Sequence, residues 1–169
     1  MSVAEHIQKH TLKEVEITPD HGDRDMTTFN RSVQFLKDRK LYKCIVSGKT
    51  ENLQVHHIVE FSLAHCVDFV KLKAFLMWFD PLGLSKEMAD QPITSIDDPR
   101  NLVPLDQQFH TGVDAEDDGS GIGIHEVTFS VWVLQLVCKD GCNPIPQKGE
   151  TLEQAQARIA KNTGQEAAA

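Results

Sequence analysis

The chain has 169 residues, 40% hydrophobic and 25% charged, with a formal net charge of -8. That length and mix suit one globular domain with short appendages and exclude fibrous or intrinsically disordered chains. Met1–Asp20 is polar and lacks the apolar run of a secretory signal, and no apolar stretch is long enough to cross a bilayer.

The expectation is therefore a soluble, cytoplasmic protein without a membrane partner. Residues 1–25 show only weak periodicity and read as an N-terminal arm. From Thr27 or Thr28, Phe29, Val33 and Leu36 recur at helical spacing, which predicts an amphipathic helix to about Lys40. Leu41–Val46 and Leu53–Ile58 read as two short strands of a hairpin, joined by the turn formers Ser47 to Asn52.

Glu60–Phe79 follows, with Leu63, Val67, Val70, Ala74, Met77 and Trp78 at helical spacing, so one long buried helix or two shorter ones are expected. Asp80-Pro-Leu-Gly83 stops it, and Met88–Arg100, with Pro92 and Pro99, reads as an irregular connection. Leu105–Val113 fits a helix, and over Ile124–Val137 the alternation of Val127, Phe129, Val131 and Val133 argues for a strand, though the continuous apolar end could be helical. Thr151-Leu-Glu-Gln154 is a capping box that opens a helix to about Lys161. Mixed elements of this kind make the fold class α+β.

Charge is unevenly spread. Residues 31–49 carry Arg31, Lys37, Arg39, Lys40, Lys43 and Lys49 against the single acid Asp38, whereas residues 101–130 carry six acids and no Lys or Arg. The basic run suits phosphate contacts and the acidic run opposes them. Cys44, Cys66, Cys138 and Cys142 form no dense framework and fit free thiols in a reducing compartment.

The chemistry concentrates at His56 and His57. Adjacent residues of a strand face opposite sides, so one imidazole can address a metal ion and the other a reacting water. His110 and Asp114 are four apart, on one face if the helix continues, where two ligands can converge on one ion.

Cys44-Ile-Val-Ser-Gly48, Val55-His-His-Ile58 and Asn101-Leu-Val-Pro-Leu105, with His110 nine residues after the Asn, together resemble the HNH endonuclease motif. The resemblance covers roughly residues 44–114. It implies a ββα-metal core in which a hairpin and a helix hold one divalent ion, here with a helical insertion, 60–98, between the hairpin and the metal-binding helix. The implied nuclease domain spans 26–143, flanked by the arm and by a C-terminal helix and tail, 144–169.

Carried onto this chain, the resemblance gives His56, His110 and Asp114 to the metal, His57 to the general base, and Asn101 to orienting that base and its loop. It implies hydrolysis of DNA, double-stranded by expectation, to a 3′ hydroxyl and a 5′ phosphate. Arg31, Lys37, Lys40, Lys43 and Lys49 would then hold the phosphate backbone. Two His and one Asp suit zinc, manganese or nickel, while magnesium prefers oxygen donors and water.

Where many relatives carry two Cys pairs around a structural zinc, this chain has Cys44 with Ser47 and Asp106 with Phe109, so no such zinc is expected and Phe109 should hold that corner by packing. The alternative from a different class is an inactive HNH-fold protein that binds another protein through its acidic surface or helical insertion.

Overall fold

The computed structural model describes residues 25–112, 123–127 and 131–164. Most of the expected N-terminal arm, the acidic loop up to residue 122 and Asp114 lie outside the described residues. Helix α1 runs Met26–Asp38, capped by the side chain of Asp25, which accepts from the Thr27 amide at 2.9 Å. It ends where Lys40 adopts a left-handed φ of 58°.

Residues 41–46, expected as a strand, form a tight loop instead. The Cys44 amide donates to the Lys49 carbonyl at 2.8 Å and the Gly48 amide to the Cys44 carbonyl at 2.9 Å, with Gly48 at φ 75°. Those bonds close the loop on itself, and the Ile45 amide reaches the sheet, donating to the Pro104 carbonyl at 3.1 Å.

The strand that pairs with β1 (Leu53–His57) is β2 (Leu102–Asp106), antiparallel, with Leu53 opposite Asp106 and His57 opposite Leu102. Every residue of β2 is buried. The hairpin is thus closed over a long sequence separation. The insertion lies between its two strands, not between the hairpin and the following helix as expected from the sequence. Helix α4 (Gln107–Thr111) leaves β2 directly, capped by Asp106.

The insertion begins with a 3₁₀ turn at Phe61–Cys66, then breaks at Val67, whose backbone bridges to Cys138. Helix α2 (Phe69–Trp78) starts behind the cap Asp68, and α3 (Leu84–Glu87) follows Gly83. Leu63, Cys66, Val67, Leu72 and Leu76 are fully buried with Val59, Leu134, Val137 and Ile159. The insertion is therefore built into the main core, and Ile159 brings the C-terminal helix α7 (Leu152–Thr163) into the same core.

Of the strand expected over Ile124–Val137, the described residues form two helical pieces instead, α5 (Ile124–Val127) and α6 (Val131–Val137), the second in line with the helical alternative for the apolar end. Val133, Leu134 and Val137 are buried while Gln135 and Leu136 are exposed, a helical spacing that overrides the β-branched composition.

One buried cation secures the route back from the insertion to β2. The Arg100 side chain, 3% exposed for the residue, donates to Asp98 through Nε and Nη2 at 2.7 Å each, and to the carbonyls of Met88, Gln91 and Pro92 at 3.0–3.1 Å. Substituting Arg100→Met leaves Asp98 without its counter-charge and three carbonyls without a donor. The variant is expected to lose about 3–5 kcal/mol of unfolding free energy. A urea midpoint equal to that of the unsubstituted protein contradicts this.

Candidate metal centre

Strand β1 places His56 and His57 on opposite faces, and both are buried. On the His56 side, α4 contributes His110 and α5 contributes His125. One ring nitrogen from each of these three residues lies within 4.8 Å of the other two. His125 Nε2 is 2.8 Å from His110 Nε2 and 3.4 Å from His56 Nδ1. With metal–nitrogen bonds of roughly 2.0–2.1 Å, tetrahedrally placed nitrogens stand about 3.4 Å apart, so these separations fit one shared ion.

The approach of α5 to α4 depends on Gly123. A Cβ there would meet the Gly112 nitrogen at 2.4 Å and the His110 carbonyl oxygen at 2.6 Å. A side chain at 123 would push His125 off the cluster. The Glu60 carboxylate stands beside the centre, with Oε1 3.5 Å from His56 Nδ1 and 3.7 Å from His125 Nδ1.

Burial, reinforced by the neighbouring imidazoles, pushes His56 down to about 3 and His110 down to about 4. Both are therefore neutral donors in ordinary conditions, as metal ligation requires.

His57 has a different environment. Its Nε2 lies 2.8 Å from Oδ1 of Asp97, which is also buried, and its ring stacks on Phe29 with centroids 5.7 Å apart. Asn101, fully buried, does not sit at the His cluster. Its Oδ1 accepts from the Val59 amide at 2.9 Å, its Nδ2 donates to the carbonyls of Val59 and Ile96 at 3.0 and 2.9 Å, and its own carbonyl accepts from the Ile58 amide at 2.8 Å. Asn101 thus ties the chain leaving the His pair to the segment that carries Asp97.

Of the expected ligands, His56 and His110 come together, while Asp114 lies outside the described residues. His125 and Asp97 join the site without a signal in the sequence. His125 stands beyond the acidic loop, with no fixed spacing from His110 to mark it, and Asp97 sits in the irregular connection, among several other acids.

The basic residues are dispersed. Arg31, Lys37, Lys40 and Lys43 are exposed, and Lys37 stacks over the Tyr42 ring at 4.9 Å. Six residues separate Arg31 from Lys37, about 240° around α1, so the two do not share a face. Lys49 is engaged by Asp106, with Nζ 2.9 Å from Oδ2, and that ammonium holds the buried carboxyl below its usual range. With Ser47 donating its amide to the Cys44 sulfur at 3.3 Å, this ion pair secures the corner assigned to Phe109 from the sequence, and Phe109 is only partly buried.

A two-stranded antiparallel sheet, a helix leaving its second strand and three converging imidazoles define a ββα unit with a metal-ready centre. A scan against protein-family models matches residues 44–116, under half of the chain, to the HNH endonuclease family, so that segment is similar to HNH endonucleases. No curated protein and no solved structure matches the chain.

The depressed histidines also set an acid limit. Below pH ~6.5 the unfolded chain takes up protons on these imidazoles, while folded His56 resists until about 3 and folded His110 until about 4. Metal-free stability is thus fully present above pH ~6.5 and falls as pH drops, by up to about 1.4 kcal/mol per pH unit for His56. Urea midpoints measured from pH 7.5 to 5, above the main carboxylate range, are expected to decline, and a flat profile contradicts the assignment.

Proposed function

We propose that the protein is a metal-dependent HNH-type DNA endonuclease or nickase that hydrolyses phosphodiester bonds at one site per chain. The observation that carries this reading is the convergence of His56 and His110, both inside the segment that matches the HNH family, with His125 from beyond it, beside the carboxylate-bound His57. A divalent ion held by the three imidazoles would supply positive charge against the phosphate and the leaving oxygen. Three nitrogen donors favour zinc, nickel or manganese over magnesium, and Asp114 remains a further candidate ligand.

His57 acts as the general base, taking the proton of the attacking water. Asp97 accepts at Nε2, which leaves the lone pair on Nδ1 as the basic position, and the stack on Phe29 holds the ring plane. Asn101 is a positioning residue: its side-chain bonds and its carbonyl hold the backbone after His57 and the segment before Asp97 in one arrangement. Arg31, Lys37, Lys40 and Lys43 supply dispersed phosphate contacts on double-stranded DNA, and Lys49 does so only from the edge of its ion pair.

A second reading has its own support. Residues 101–130 are acid-only, and Val70, Trp78 and Leu136 are exposed apolar side chains of α2 and α6. These features favour a protein-binding module built on the HNH fold.

Nicking of supercoiled plasmid across magnesium, manganese, nickel and zinc separates the two. At least one metal should support nicking, and His57→Ala should lower the rate about 10²–10⁴-fold while leaving the fold intact. No metal giving nicking above His57→Ala contradicts the enzyme reading.

A further inference from the structure

Gln54 stands two residues before His56 on β1, so the strand directs both side chains to the same face. Its side-chain oxygen, Oε1, lies 2.5 Å from His110 Nδ1 across 56 residues of sequence. The other nitrogen of the same ring, Nε2, is the one that meets His125 Nε2 at 2.8 Å. A single residue of the sheet therefore grips the outer edge of a ligand whose inner edge faces the cluster.

The chemistry of that contact is directional. An amide oxygen only accepts, so the ring nitrogen facing it carries the hydrogen, and in a neutral imidazole the lone pair is then on the opposite nitrogen. A ring that ligates a metal ion does so through the lone pair of a neutral imidazole. The tautomer fixed by Gln54 is the one with Nδ1–H outward and the Nε2 lone pair aimed at the position between His56 and His125.

We propose that Gln54 is a positioning residue of the metal centre, selecting the tautomer and ring orientation in which His110 donates through Nε2. The inference rests on the reading of His56, His110 and His125 as a metal site and extends it outward by one layer. Histidine ligands commonly depend on such an outer acceptor, and its removal typically weakens metal binding about 10–100-fold. A mere tether between β1 and α4 would need the hydrogen bond but would be indifferent to which nitrogen carries the proton.

The test uses zinc alone with the full chain. Zinc is titrated into the unsubstituted protein, Gln54→Leu, Gln54→Glu and His110→Ala, and nitrogen-15 imidazole spectra are recorded on the zinc-loaded unsubstituted protein. The expected results are a 10–100-fold weaker zinc affinity in Gln54→Leu, recovery in Gln54→Glu, whose carboxylate also accepts, and a His110 ring protonated at Nδ1 with Nε2 on the metal. The spectra test the tautomer even if Gln54→Leu does not fold.

If the unsubstituted protein and Gln54→Leu bind zinc equally while His110→Ala does not, Gln54 has no such role. A His110 bound through Nδ1 overturns it as well. Absence of zinc binding in the unsubstituted protein overturns the three-histidine centre itself, and this inference with it.

Discussion

The antiparallel pairing of β1 with β2 is the constraint on which the rest of the structure depends. It sets His56 and His57 on opposite faces, brings the insertion back to its starting point, and launches α4 so that His110 returns to the His56 face. A slip of one residue in β1 would exchange the two imidazoles between faces. Asn101 opposes such a slip at the strand end, because its side chain and carbonyl bind the Ile58 and Val59 backbone directly after the His pair.

Burial then gives the two imidazoles different chemistry. On one face three imidazoles converge with a carboxylate alongside, a donor set suited to a divalent cation. On the other face one ring meets a single carboxylate and an aromatic plane, a setting that fixes a tautomer and an orientation. The elements supplying these partners are scattered: α1 gives Phe29, the end of the insertion gives Asp97, and α5 gives His125. The insertion is thus part of both the core and the site, because Leu72 and Leu76 anchor it and Arg100 fixes its exit.

Much of this was legible in the sequence where the signal was local. The α+β class, the capping box at Thr151, the His pair and His110 follow from spacing and composition. What failed was non-local. The strand at Leu102–Asp106 is fully buried and contains Pro104, so it shows no alternation, and its partner lies beyond a long insertion. The apparent strand at 41–46 was outcompeted by local loop bonds. The β-branched run at 127–137 reads as sheet by propensity, yet over Val131–Val137 its burial follows a helix. His125 and Asp97 acquire meaning only when the chain folds back, since neither keeps a readable spacing to its partners.

The proposed metal centre draws its three imidazoles from β1, α4 and α5. Isothermal titration of a divalent ion into metal-free protein, beside His125→Ala, tests it most directly, because His125 is the member that only the folded chain brings in. One ion per chain is expected in the unsubstituted protein, and a marked loss of affinity in His125→Ala with its helical content unchanged. Equal affinity in the two proteins would contradict it.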